Sequence, residues 1–252
     1  MLTAPARSSL STTGFALLAG LLVGAVTNVL QGVLPDALQA ISNSGSVWSA
    51  AAFAAGALAR VPGRVAVLAG TATEVGAVVG YYAYAELLRD GMGDLTYPLF
   101  WLALALVAGP LFGTAGAWWR TGTGWRRTAG PALLGGVFGM DALWYQVVLA
   151  YHGDAIGYGV VAVLIPLVLG RNLRDRVVGL GTTVVLSVLA VLALWGLSRL
   201  PVLVTGQAQQ RTVTWTTRAP VGSRTMNGDL LASAIRWSRS SVALSTTTTY
   251  AP

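Results

Sequence analysis

The chain has no cysteine, no lysine, a single histidine and few charges, since only 10% of its 252 residues are charged. Each shortage excludes something. Without cysteine there is no disulfide, no thiolate nucleophile and no cysteine-ligated metal. With His152 alone, a zinc site would have to be rich in carboxylates, so no metal is expected. A charged fraction far below the roughly one quarter usual in soluble domains argues against a water-soluble enzyme built on one compact core. His-Glu-x-x-His, Gly-x-Ser-x-Gly and a phosphate-binding loop ending in Lys-Ser or Lys-Thr are also missing. No enzymatic activity and no cofactor are therefore expected.

What is present is apolar: 54% of the residues are hydrophobic, and the mean hydropathy is +0.65. Seven apolar segments, Thr13–Leu34, Val47–Ala59, Val65–Leu88, Tyr97–Trp119, Ala129–Ala150, Ala155–Gly170 and Val177–Leu197, are separated by short loops carrying Gly, Pro or Arg. This pattern predicts an all-α fold, a polytopic transmembrane helix bundle of about seven spans. The second and sixth segments fall short of the roughly 20 residues a full crossing needs. The second is expected to start inside the membrane layer, with Ile41-Ser42-Asn43-Ser44-Gly45-Ser46 as a broken approach to it. Irregular backbone survives at that depth only where protein or a wet cavity surrounds it. The first segment carries Asn28 and Gln31 and has no small-x-small cleavage site, so it reads as a retained helix rather than a leader.

A net charge of +7 and a pI of 10.4 would suggest nucleic acid in a soluble protein, but the positions of the arginines give them another meaning. Placing the amino terminus in the cytoplasm puts Arg7, Arg60, Arg64, Arg120, Arg126, Arg127, Arg171, Arg174 and Arg176 on one side. The opposite loops hold Asp36, Arg89, Asp90, Asp94, His152 and Asp154. That asymmetry predicts an N-in orientation and no nucleic-acid partner. The chain then divides into a cytoplasmic segment 1–12, a transmembrane domain 13–204 and a polar, mostly disordered exoplasmic tail 205–252. Within the tail, Asp229–Trp237 is amphipathic.

Three motifs bear on packing. Leu18-Ala19-Gly20, Leu68-Ala69-Gly70 and Leu134-Gly135-Gly136 open alternate helices, which suggests three in-out-in hairpins followed by a last helix. Small residues at four-residue spacing, Ala16/Gly20/Gly24 and Ala51/Ala55/Ala59, let helix backbones approach closely, within the chain or against a partner subunit or second copy. Pro110 and Pro166 lie inside spans and are expected to kink them. Trp118, Trp119 and Trp125 at the inner boundary, with Trp48, Tyr97 and Trp101 at the outer one, read as interface anchors.

Ionisable groups at membrane depth are costly, and two qualify, Glu74 in the third segment and Asp141 in the fifth. Helical spacing puts Tyr81 on the face of Glu74, Trp144 and Tyr145 on the face of Asp141, and Asn28 and Gln31 together on the first helix. With Asn43, these residues converge on the outer half of the bundle above the two carboxyls. The arrangement fits an outward-facing pocket for a small cationic or aromatic molecule. The plainer alternative is that both acids are uncharged hydrogen-bonding groups that tie neighbouring helices. His152 with Asp154 reads as a solvated turn.

The strings Leu30-Gln-Gly-Val-Leu-Pro35, Asn43-Ser-Gly-Ser-Val-Trp48, Gly80-Tyr-Tyr82, Gly109-Pro-Leu-Phe-Gly113, Trp118-Trp-Arg120 and Leu133-Leu-Gly-Gly-Val-Phe138 resemble an uncharacterised family of bacterial multi-pass membrane proteins, a domain of unknown function. The resemblance covers about residues 13 to 200 and not the tail. It implies a bacterial inner-membrane location and carries over no site residue. The architecture is also similar, more loosely, to the substrate-capture subunits of vitamin transporters. The sequence thus leads to binding or transport of a small molecule in the lipid bilayer, with a non-catalytic scaffold that recruits a membrane partner as the alternative.

Overall fold

The computed structural model describes residues 4–34, 39–42, 44–59, 63–89 and 91–197. The polar tail, the residue Asn43 and several loop positions lie outside them. The described chain runs α1 (Ala4–Val33), α2 (Gln39–Ser42), α3 (Gly45–Leu58), α4 (Arg64–Leu88), α5 (Thr96–Thr121), α6 (Trp125–Trp144), one π turn (Tyr145–Leu149), α7 (His152–Leu169) and α8 (Leu173–Leu197). Every apolar segment read from the sequence is a helix. Six of them are long and apolar enough to cross a membrane.

The helix faces are arranged for lipid rather than water. Phe15, Leu18 and Leu22 on α1, Val107 on α5 and Val184 on α8 are exposed, while Ser46, Ser49, Thr73, Thr183 and Ser187 are buried. A soluble bundle reverses this distribution. Apolar side chains gain nothing by turning inward from lipid tails, so interhelical contact falls to small residues and hydrogen bonds. The hydroxyl of Thr73 reaches the Ala16 carbonyl of α1 at 3.3 Å, and that of Ser187 reaches the Gly136 carbonyl of α6 at 3.2 Å.

Glycine sets the closest approaches. A Cβ on Gly20 or Gly24 of α1 would overlap the backbone of Thr73 or Ala77 in α4, and one on Gly80 would overlap Leu21. The small-residue face of α1 is therefore spent on α4. A second seam joins Gly70 of α4, Gly109 and Gly113 of α5, and Gly56 of α3. This departs from the three-hairpin description, because α1 packs mainly on α4 and barely touches its sequence neighbour α3. Between α1 and α3 an apolar groove of about 460 Å³ remains, lined by Ala16, Ala19, Ala51 and Ala55 over Thr73.

The arginine-rich loops between α5 and α6 and between α7 and α8 meet at one end of the bundle. Arg127 pairs with Asp175 at 2.9 Å, and Arg171 donates to the carbonyls of Trp119 and Arg120 at the end of α5. A cation there satisfies carbonyls that the last helical turn leaves without partners.

Candidate functional site

Helix α3 organises the interior. Its 14 residues rise only about 21 Å, too short for the roughly 30 Å of hydrocarbon, so it starts within the bundle. Ser44 caps it, accepting from the Ser46 amide at 3.1 Å, and Ser42, Ser44 and Ser46 are all buried. Among the described residues of the broken approach read from the sequence, these three serines are thus enclosed by protein. Ser46 donates to Asp141 Oδ2 at 2.5 Å and Ser44 to the same oxygen at 3.3 Å. One turn further on, Ser49 donates to Glu74 Oε1 at 3.1 Å. A single half-length helix thereby holds both membrane-depth acids, one from α4 and one from α6.

Glu74 and Asp141 line the same cavity, a cleft of about 410 Å³. Its other walls are apolar and aromatic, including Trp48, Trp101, Leu104, Phe112, Val137 and Met140. Its lining on α5 includes Phe100 and Val107, which are among the exposed large hydrophobic residues of that helix.

A second cavity of about 520 Å³, here called the cup, lies at the end of the bundle away from the arginine-rich loops, between α1, α4 and α5. Asn28 and Gln31, grouped by helical spacing, line it together; Tyr81, expected on the face of Glu74, lines it too and not the cleft, and Arg89, Tyr82, Tyr97 and Trp101 join them. Arg89 folds back onto α1, donating from Nη1 to the Asn28 side-chain oxygen at 2.8 Å and to its carbonyl at 3.2 Å. The Asn28 amide nitrogen donates to the Tyr81 carbonyl at 3.0 Å, and the Tyr81 hydroxyl donates to Gln31 Oε1 at 2.6 Å.

The expected residues thus gather in two places rather than one. Glu74 and Asp141 share the cleft; Asn28, Gln31 and Tyr81 share the cup. Tyr145 stacks on Tyr158 at 5.3 Å and on Tyr151 at 6.3 Å, and neither it nor the half-buried Trp144 lines either cavity. The backbone keeps α-helical dihedrals through Tyr145, where the π turn begins, so both side chains keep their places on the turn after Asp141, and the left-handed Ala150 (φ 57°) comes only beyond them. Tyr145 is instead taken up by the Tyr158 ring of α7. Asn43 lies outside the described residues.

Trp48 corrects another expectation. It is no interface anchor but 2% exposed, with its indole N–H donating to Thr27 at 3.3 Å. Its ring meets those of Tyr81 and Trp101 edge-on, each at 5.6 Å. Trp101 lines both cavities, so these three rings form the partition between them. Sequence reasoning also missed Ser49, whose signal was available: Ser46 and Ser49 stand at i and i+3 in a helix otherwise rich in alanine. Tyr158, whose hydroxyl donates to the Ala40 carbonyl at 2.8 Å and ties α7 to α2, gave no comparable signal.

Neither a curated protein nor a solved structure matches the chain. A family model does match, over residues 3–200, which is all of the helical body described above. The chain belongs to that family, DUF6518, a family of unknown function.

Proposed function

We propose that the protein binds a small cationic molecule with an apolar or aromatic body inside the membrane, as the binding step of uptake or export. The observation that carries this reading is that Glu74 and Asp141, from different helices, line one cleft whose remaining walls are apolar and aromatic. Acids at this depth are costly to keep and are characteristic of ion and substrate pathways. Two of them in one cavity supply a counter-charge for an amine, and Trp48 and Trp101 supply ring faces for cation–π contact. Ser44, Ser46 and Ser49 donate to the two acids and are the groups a ligand would displace. Without a nucleotide motif, transport would draw on an ion gradient or on a partner subunit.

The test is a thermal-shift screen of the purified protein against amines, vitamins and amino acids, repeated on Glu74→Gln and Asp141→Asn. The proposal expects at least one amine to raise the unfolding temperature of the wild type and both substitutions to remove that shift. Hits that survive both substitutions, or a screen without any hit, would sink it.

A scaffold reading keeps one observation in its favour. The α1–α3 groove leaves Ala51 and Ala55 only half-buried, and its small-residue lining admits a partner helix. On that reading Ala51→Leu and Ala55→Leu alter the mass of the purified particle, measured by mass photometry, and leave amine binding intact.

A further inference from the structure

We infer that the cup at the outer end is a second binding site, selective for an anionic group carried on an aromatic body. This goes beyond the cleft proposal and does not depend on it.

The argument starts from which hydrogen-bonding groups of the cup are already used. Asn28 is consumed, its oxygen by Arg89 and its nitrogen by the Tyr81 carbonyl. Gln31 uses its oxygen to accept from Tyr81, which leaves its amide N–H groups. Arg89 uses Nη1 alone, so Nη2 and Nε keep their N–H groups, and among the described residues no carboxylate lies within ion-pair distance of it. The nearby Glu86 instead accepts from the Met92 amide at 3.0 Å. Among the described residues no acid lines the cup. Its spare polar capacity is therefore made of donors around a guanidinium, a type of group that binds carboxylate and phosphate through paired N–H bonds.

The rest of the cup selects the body of the ligand. Tyr82, Tyr97 and Trp101 present three rings, and about 520 Å³ accommodates a one- or two-ring molecule. The site is also pre-formed, because the Asn28, Tyr81 and Gln31 bonds fix α1 against α4 and Asn28 steadies the guanidinium. Little ordering cost remains for binding. Among the described residues an amine would meet the charge of Arg89 and no acid, so the cup and the cleft differ in sign.

The experiment uses the full chain in phosphatidylcholine nanodiscs and three probes with one ring system: indole-3-acetate, indole-3-acetamide and tryptamine. Calorimetry is run on the wild type, on Arg89→Gln, and on the Glu74→Gln/Asp141→Asn double variant, which removes amine binding in the cleft. The expected result is that the double variant binds the acetate at least tenfold more tightly than the amide or the amine, and that Arg89→Gln weakens the acetate at least tenfold. Should Arg89→Gln fail to fold, Tyr82→Ala serves in its place and is expected to weaken the acetate severalfold. Equal binding of the three probes by the double variant, or acetate binding unchanged in Arg89→Gln, overturns the inference. So does failure to bind the acetate combined with Arg89-dependent retention of phosphatidylglycerol, which would assign the guanidinium to a lipid headgroup. Loss of amine binding in the double variant with acetate binding intact separates the fate of this site from that of the cleft.

Discussion

One substitution made at two positions of the same helix should change stability in opposite directions. Gly14 and Gly24 both lie in α1. A Cβ added at Gly14 meets nothing within 4 Å, whereas one at Gly24 falls on the Ala77 carbonyl and the Tyr81 amide nitrogen of α4. Gly14→Ala therefore gains only the reduced backbone entropy of the unfolded chain, about 0.5–1 kcal/mol. Gly24→Ala gains the same term but must push two backbones apart, and the atoms in its way are main chain, which cannot rotate aside. Overpacking of that kind costs about 1–3 kcal/mol, so the net effect is a loss. The consequence extends to the cup, because α1 brings Asn28 and Gln31 to Tyr81 one turn beyond the clash, through bonds of 3.0 and 2.6 Å. Displacing α1 by an ångström breaks both. Equilibrium unfolding in mixed micelles, followed by tryptophan fluorescence, measures the first effect, and binding of indole-3-acetate reports the second. A Gly24→Ala protein as stable as Gly14→Ala would refute the close α1–α4 seam and the positioning of the cup that rests on it.

The absence of cysteine makes topology directly testable: Gly153→Cys should react with an impermeant maleimide added outside intact cells, and Thr123→Cys only after permeabilisation. A double-mutant cycle on Ser49→Ala and Glu74→Gln should return a coupling of about 0.6 kcal/mol, the average for interhelical hydrogen bonds in membranes, and no more than about 1.7; a coupling of zero would remove Ser49 as a partner of the acid. At the start of α5, hydrogen bonds from the Thr96 side chain and amide hold the exposed Asp94 carboxyl below its ordinary value. A carboxylate whose folded pKa is depressed stabilises above its unfolded pKa of about 3.9 and loses that contribution as pH falls through the folded value. The protection factor of the Thr96 amide, its exchange rate relative to the free peptide at the same pH, should accordingly fall below about pH 4, and Asp94→Asn should flatten that response.

The seven apolar segments were legible because length and hydropathy are properties of a segment by itself. The internal start of α3 was legible for the same reason, from a run of Ser, Asn and Gly where a full span would have continued. Pairing was not. Gly20 and Gly24 mark a face that must meet another backbone, but nothing in their spacing chooses α4 over α3. The site divided along the same line. Helical spacing grouped Asn28 with Gln31, which line one cavity, but it also grouped Glu74 with Tyr81 and Asp141 with Trp144 and Tyr145. Which cavity a side chain meets depends on the neighbouring helix, which spacing within one helix does not supply. Arg89 read as a loop charge because its reach back to Asn28 depends on α1 and α4 already being packed. Trp48 read as an anchor because hydropathy cannot tell the bundle interior from the membrane boundary.

The short helix α3 carries Ser46 and Ser49 three residues apart, toward acids on two different helices. Being rigid at this scale, it cannot improve its fit to one acid without changing its fit to the other. The two carboxyls are therefore readers of a single mechanical coordinate. On the proposed reading, a cation that displaces Ser46 from Asp141 frees α3 to settle toward Glu74, and occupancy at Glu74 acts on Asp141 by the same free energy. Cooperativity between the two acids, of either sign, follows from the geometry of one 14-residue rod.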